Sequence, residues 1–392
     1  MRIMYILGID MEKSGPSVHL LNDIIKKAKS RGHEIIRIEK SYADDSWNIS
    51  EHCSNGEYIY KVECTLPQGQ SYIKRYLDDL RYVYKCWKTL RKKNVDIVFL
   101  QSCNNAAFQC FWIKHCLKKP IVYNVQDIFP LDIYYEGIMS KKNPIYVFFD
   151  LLQKYAYKCS SKIITISRDM ERSLIELGVE ANKLSVIYNW AYEDNYSIEY
   201  EKEIREKFYS NNLFHVVYAG NVGMAQSVET LINACVYLQS YSDIEVLIIG
   251  SGSKLNKCKE LASQLGLKNI KFYNLVPQHL AQYVYNGADV NIVTLLPGII
   301  NTSMPSKTAA CYKSNKPVIY CVDEDSKTIE LLVNASKSIF KCVPGNSKAL
   351  AEKILEIYEN KSSIDGNHRV PYKEVMKPQE ASAYMDVIEG LI

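Results

Sequence analysis

Residues 214–232 read FHVVYAGNVGMAQSVETLI. Phe214, Val216, Val217 and Tyr218 make an apolar run rich in β-branched and aromatic residues. Gly220 and Gly223 interrupt it, and Val228, Leu231 and Ile232 then fall at helical spacing. The pattern predicts strand, tight turn and helix. Such a turn gathers backbone N–H groups and the positive end of a helix dipole at the carboxyl edge of a sheet, where an anion meets no Cβ. A bare Gly-x-x-Gly fits both a diphosphate cradle and an ordinary strand-to-helix turn, so the flanking chain has to discriminate.

Outward from this stretch the same alternation repeats. Downstream, apolar runs at 244–249, 270–274, 289–295 and 317–321 alternate with helical spacing at 255–265, 278–286 and 305–314, and Gly250-Ser251-Gly252 forms a second turn after a strand. Past residue 345 the chain reads as helical, ending in a helix at Pro378–Leu391. Upstream, strand Ile3–Ile9 passes through Lys13-Ser14-Gly15-Pro16-Ser17 into helix Val18–Ser30, which Arg31-Gly32-His33 ends before strand Glu34–Ile38. Strands Val95–Gln101, Pro120–Val125, Lys162–Ser167 and Leu184–Trp190 and helices Ala106–Leu117 and Arg168–Leu177 continue it. This order predicts α/β domains with doubly wound parallel sheets, whose ligands bind at the strands' carboxyl ends. Gly15, Pro16, Ser17 and Gln126-Asp127 lie at that edge in the first half. A polar linker, Glu193–Asn212, divides the chain into expected domains 1–195 and 196–375, facing each other across a cleft. A terminal helix, 376–392, is expected to cross back onto the first.

A length of 392 residues exceeds one core, and 47% hydrophobic with 23% charged residues marks a soluble globular chain. The first apolar run ends at Asp10 and Glu12, as a strand does and a signal peptide does not. No run reaches the roughly 18 apolar residues of a membrane span. Twelve cysteines form no Cys-x-x-Cys pair, and Cys110, Cys311 and Cys321 fall in apolar elements, so reduced core thiols in the cytoplasm are expected and zinc is not. Residues 1–195 hold 28 Lys+Arg against 23 Asp+Glu, and 196–392 hold 20 against 21. Much of the excess lies in Tyr72–Lys93, where Tyr76, Leu77, Leu80, Val83, Tyr84, Trp87 and Leu90 recur at helical spacing among lysines and arginines. Two readings of this basic amphipathic helix stay open: contact with an anionic membrane surface, or a sheet cover with solvated lysines.

KSRGHEI (29–35), Gly15-Pro16-Ser17, ISRDMERSLIELGVEANKLSVIYNW (166–190), YAGNVG (218–223), VLIIGSGS (246–253), FYNLVP (272–277) and Lys316-Pro317-Val318-Ile319 together resemble the retaining nucleotide-sugar glycosyltransferases of family 4. The resemblance covers nearly the whole chain and implies the GT-B fold with a hexosyltransferase activity. Gln126-Asp127-Ile128-Phe129-Pro130 and Met304-Pro305-Ser306-Lys307 resemble the surface-polysaccharide branch, including the N-acetylfucosaminyl transferases of O-antigen and capsule synthesis. The implied partners are a nucleotide-sugar donor, UDP-linked by expectation, and a lipid-linked glycan acceptor at the inner membrane face. The nucleotide sugar is a substrate, so no cofactor is expected, and no nucleic acid is.

Breaking a sugar–phosphate bond requires stabilising charge on the departing diphosphate. No Asp-x-Asp metal pair ends a strand, and Asp323-Glu324-Asp325 reads as a solvated loop. Fixed donors are therefore expected: the N–H groups around Gly220–Gly223 and Gly250–Ser253, including Asn221, Ser251 and Gly252, with Lys307 adding a compact cation. A surface lysine at a helix start is the alternative, although a cation is disfavoured beside the dipole's positive end. By resemblance, Phe272–Pro277, with Val276 and Pro277, lines the base pocket, and Ser303, Met304, Pro305 and Ser306 approach the donor. Asp127 is a candidate base for the attacking hydroxyl, or else a helix cap or loop brace. His19 is an acceptor contact or a structural helix residue, and Asn189 and Trp190 are cleft residues or hinge packing.

The chain departs from its relatives. Where most carry an Arg after the strand glycine and a Lys five residues later, it has Asn221 and Gln226. Where most carry two glutamates eight positions apart, it has Thr302 and Ala310. A catalytically inactive partner subunit of a glycosyltransferase complex is therefore an alternative, as is a nucleotide-sugar epimerase. A dehydrogenase is not expected, since Gly250-Ser251-Gly252 lacks the third glycine and comes late in the chain.

Overall fold

The structure, a computed structural model, describes residues 1–13, 15, 17–42, 47–54, 56–65, 72–192, 196–209, 212–361, 364 and 369–392. Pro16 lies outside the described residues, as do 193–195 of the expected linker. Two compact units emerge. The first comprises Met1–Leu131, Met139–Tyr188 and Pro378–Ile392, and the second Asp132–Ile138 and Asn189–Lys377.

The first unit holds strands β1 (Arg2–Ile6), β2 (Glu34–Tyr42), β3 (Ile49–Ser54), β4 (Glu57–Cys64), β5 (Ile97–Gln101), β6 (Ile121–Val125), β7 (Lys162–Thr165) and β8 (Leu184–Val186). They form one sheet in the order β3-β4-β2-β1-β5-β6-β7-β8, parallel throughout except for the antiparallel β3/β4 pair. Every residue of β5 and β6 is buried, because helices cover both faces, so these strands read as unbroken apolar runs. β3 and β4 were not expected. Their Ser, Glu, His and Lys residues suit an edge hairpin half open to water, which hides the strand signal. Helix Pro144–Cys159 was also not expected; Asn143 caps it, its side chain accepting the Ile145 N–H at 2.8 Å, and Pro144 opens its first turn. β8 ends at Val186, four residues before the expected Trp190.

The terminal helix, Ala381–Glu389, belongs to this first unit. Arg31 Nη1 pairs with Asp386 at 2.9 Å and with Glu389 at 2.7 Å, and His33 Nε2 lies 2.7 Å from Glu389 Oε1. The hydrogen bond with His33, then Arg31, holds the Glu389 carboxyl below the usual range. Helix Tyr72–Leu90 buries Tyr82, Val83, Cys86 and Leu90, and Tyr82 Oη donates to Ile38 O at 3.2 Å, while Leu77, Arg81, Tyr84 and Lys88 face out. Among the described residues, no helix is long and apolar enough to cross a membrane.

The second unit holds β9 (Phe214–Asn221), β10 (Ile244–Ser251), β11 (Ile270–Tyr273), β12 (Val290–Thr294), β13 (Val318–Cys321) and β14 (Ile339–Cys342), all parallel in the order β11-β10-β9-β12-β13-β14. Its core packs Val216, Tyr218, Val228, Leu231, Ile248, Ile292 and Ile354 from the inner strands and the helices over them. The expected linker is largely a helix, Ile198–Phe208, whose Ser197 cap also donates its N–H to Tyr283 Oη at 2.6 Å. β14 and helix Lys327–Asn334, absent from the sequence reading, complete the doubly wound set. In both sheets the strand order reverses at one place, β1/β5 in the first and β9/β12 in the second, and ligands of such sheets bind at the carboxyl side of that place.

Candidate functional site

β9 runs to the switch point of the second sheet and ends in Gly220 and Asn221, which lie opposite Gly250 and Ser251 of β10. Gly220 has φ +133°, and a Cβ there would sit 3.2 Å from Lys307 Nζ. Lys307 arrives from the other side of the switch: β12 leads through the turn Ile299–Asn301 and Ser303-Met304-Pro305-Ser306 to Lys307, which immediately precedes helix Thr308–Lys313. Its ammonium lies over the Tyr218 ring, 3.5 Å from the centroid. That nitrogen is buried and has no hydrogen-bond partner among the described residues. Burial lowers its pKa from 10.5 to about 7, against an opposing influence from Cys311. The surface-lysine alternative is thereby set aside, and the expected helix 305–314 shrinks to Thr308–Lys313.

The glycine turn differs in detail from the expected cradle. The Gly223 N–H donates to Gln226 Oε1 at 3.0 Å, and Asn221 Nδ2 donates to the same oxygen at 3.1 Å. The Val222 N–H donates to Ser251 O at 2.8 Å. These donors hold the turn and do not point at an incoming anion. Gly252 has φ +151°, and a Cβ there would lie 2.4 Å from Val222 O and 2.6 Å from Asn221 Oδ1, so this glycine serves the close approach of two strand ends. Thr294 Oγ1 donates to Gln226 O at 2.5 Å and the Leu296 N–H to Ala225 O at 2.8 Å, fastening the turn to the end of β12. Gly220, Asn221, Gly223, Gln226, Gly250, Ser251, Gly252 and Lys307 are thus brought together. Val276 and Pro277 leave the carboxyl end of β11, the edge strand beside β10, and Pro277 precedes helix Gln278–Gly287. Met304 is buried, Ser303 and Pro305 are half-buried, and Ser306 is exposed. Asp323 is not merely solvated: its Oδ2 accepts the Gly298 N–H at 2.8 Å.

In the first unit Gly15, Ser17 and His19 follow β1, at the switch point of that sheet. Gly15 O accepts the Val18 N–H at 3.1 Å, and His19 is a half-buried residue of helix Val18–Ser30. Asp127 is exposed just beyond β6. Beneath it runs an amide network: Asn124 Nδ2 donates to Gln101 Oε1 at 2.8 Å, and Gln126 Nε2 to Asn124 Oδ1 at 3.3 Å. Asn189 and Trp190, expected in the first domain, fall in the second unit, where Tyr372 Oη donates to Asn189 O at 3.4 Å.

Residues 17–192 match the family model described as Glycosyltransferase Family 4, and residues 214–360 match that described as Glycosyl transferases group 1. Each of the two halves thus matches a glycosyltransferase family model, the first of them that of family 4. WbjE of Pseudomonas aeruginosa, described as a probable glycosyltransferase, is 26% identical over 267 residues, 65% of this chain and 64% of that protein. WcaI of Escherichia coli strain K12, a glycosyl transferase named for colanic acid biosynthesis, is 26% identical over 149 residues, 37% of this chain and 36% of its own length. Both matches therefore span less than two thirds of the relative. Among solved structures, Anabaena HepE in complex with UDP and glucose superposes with TM-score 0.72 at 17% identity, covering 100% of this chain and 99% of that one. WaaG, a glycosyltransferase involved in lipopolysaccharide biosynthesis, does so at 0.71 and 11%, covering all of both chains. These likenesses show the GT-B fold.

The departures noted in the sequence have a structural account. Thr302 is fully buried and its hydroxyl donates to Ile299 O at 2.9 Å, so it closes the turn after β12. Ala310 sits on helix Thr308–Lys313, where its carbonyl accepts from Gln282 Nε2 at 3.2 Å. Asn221 and Gln226, in place of two cations, hydrogen-bond to each other. Tyr218 escaped the sequence reading as a site residue because an aromatic in a buried strand reads as core; its spacing of two before the strand glycine was the available signal. Among the described residues, no group of three or more His, Cys, Asp and Glu side chains is arranged to hold a metal.

Proposed function

We propose that the chain moves a sugar from a nucleoside-diphosphate sugar, UDP-linked, to a lipid-linked glycan in bacterial capsule or O-antigen synthesis, with retention and with Lys307 balancing the departing diphosphate in place of a metal. One observation carries the donor half: the buried, unpartnered ammonium of Lys307 beside Gly220 at the second unit's switch point. A buried lysine that has a ring face but no hydrogen-bond acceptor is charged only at a cost, and an arriving diphosphate relieves that cost. UDP and glucose on HepE, which shares the fold, and the polysaccharide-related names of WcaI and WaaG support this class. Ser303–Ser306 and Val276-Pro277 are the residues proposed to meet sugar, phosphate and base. Asp127 is proposed to accept the acceptor hydroxyl's proton, with Gly15, Pro16, Ser17, His19, Asn189 and Trp190 on the acceptor side. The surface-polysaccharide branch that includes the N-acetylfucosaminyl transferases is the proposed branch, and the cytoplasmic face of the inner membrane, approached through Tyr72–Lys93, is the proposed location.

Incubation with a panel of UDP- and GDP-sugars in EDTA, following nucleotide release, tests this reading. Turnover with one donor is the expected result; neither turnover nor tight nucleotide binding with any of them contradicts it. Binding without turnover favours the second reading, an inactive partner subunit, which Thr302 and Ala310 in place of acids motivate.

A further inference from the structure

Helix Pro144–Cys159 buries Tyr146, Gln153, Ala156 and Tyr157 in the first unit, where Gln153 Nε2 donates to Tyr123 Oη at 2.8 Å. Its opposite face is apolar and open to solvent: Ile145, Phe148 and Leu151 are 55%, 52% and 61% exposed. A helix that only covers a sheet carries polar residues there. The patch extends sideways, because exposed Phe111 packs at a tilt against His115 with centroids 4.7 Å apart, and His115 Nε2 lies 3.2 Å from Tyr155 Oη of helix Pro144–Cys159. On another side Phe149 meets Tyr76 edge-on at 5.3 Å, so the patch borders the basic helix Tyr72–Leu90.

The rim of this face is cationic. Segments 106–119 and 139–160 contain seven lysines and one acid, Asp150, which pairs with Lys154 at 2.8 Å. Lys114, Lys118, Lys142 and Lys158 are exposed. A symmetric dimer through this face would set these lysines against their own copies, which repels. An anionic bilayer offers an apolar boundary and negative charge at the same depth, the combination this face matches.

We propose that helix Pro144–Cys159 seats the chain on an anionic lipid surface, Phe148 and Leu151 entering the headgroup layer while the surrounding lysines face lipid phosphates. This rests on the membrane part of the reading above and gives the entering role to a different element, the helix Tyr72–Leu90 becoming an electrostatic flank. The test is flotation of the full chain with vesicles of phosphatidylcholine alone and of phosphatidylcholine with phosphatidylglycerol at about 3:1. Binding to the anionic vesicles only is expected. It should weaken about ten-fold or more in Phe148→Ser with Leu151→Ser, and again in Lys142→Glu with Lys158→Glu, with UDP affinity unchanged in both variants. A wild-type chain that floats with neither vesicle, or a serine variant that floats as the wild type does, overturns the proposal. So does wild-type self-association in sedimentation that the serine variant abolishes. Failure of the wild type to bind UDP rejects the donor-site reading and leaves the vesicle result standing.

Discussion

Around β9 and β12 the carboxyl edge of the second sheet carries close-packed glycines and one buried ammonium, whereas around β5 and β6 the same edge of the first sheet carries neutral amides joined side chain to side chain. Strand order near the two switch points is the same, so topology does not account for the difference. Side chains do. A buried amide satisfied by another amide is stable without a ligand, while a buried lysine with no hydrogen-bond partner holds its proton at a cost that an anion removes. The proposed function places phosphate at the second edge and neutral hydroxyl-bearing groups at the first, and this contrast is what supports it.

The contrast can be broken most sharply at Lys307. Lys307→Met should lower kcat/KM for the nucleotide sugar by about 10²–10³-fold, read by nucleotide release. The same variant should melt no lower than the wild type, since it removes an unpaired buried charge; a drop in melting temperature with turnover retained would make the lysine structural. On the other edge, Asp127→Asn should reduce kcat by about 10²-fold while leaving UDP affinity intact, and a matching loss of UDP affinity would erase the distinction between the edges. Gly220→Ala, strained at φ +133° and crowding the ammonium, should cost about 1–3 kcal/mol in urea unfolding and weaken UDP binding as well. Smallest of all, Gln101→Leu should cost about 1 kcal/mol of stability through the lost amide pair, with no change in UDP affinity.

Much of this was legible in the sequence, and the misses have physical causes. Apolar runs such as IVFLQ and IVYNV, buried on both faces, announce parallel strands directly, whereas the β3/β4 hairpin, polar along an open edge, does not. Lys307 stood out by its place after Met304-Pro305-Ser306, yet its burial over Tyr218 depends on two strands brought side by side, a contact between residues 89 positions apart in the chain. Gly223 misled because a glycine after a strand advertises an open N–H, and only the coordinates reveal that Gln226 has taken it. The exposed face of Pro144–Cys159 was missed together with its helix, and nothing in a linear pattern marks that Ile145, Val147, Phe148 and Leu151 remain uncovered.

The proposed donor site turns on the charge of one nitrogen, Lys307 Nζ. In the unliganded chain the depressed pKa means that the unfolded state binds more protons than the folded state between about 7 and 10.5, so this lysine adds to stability as pH rises through that window. A diphosphate drawn against Lys307 restores its proton, so binding must take one up. Calorimetric titration of UDP at pH 8, in two buffers of different ionisation enthalpy, measures this uptake. Close to one proton is expected for the wild type and none for Lys307→Met, with UDP affinity in the wild type falling as pH rises above about 7. No proton uptake, together with equal UDP affinity in the two proteins, would contradict it.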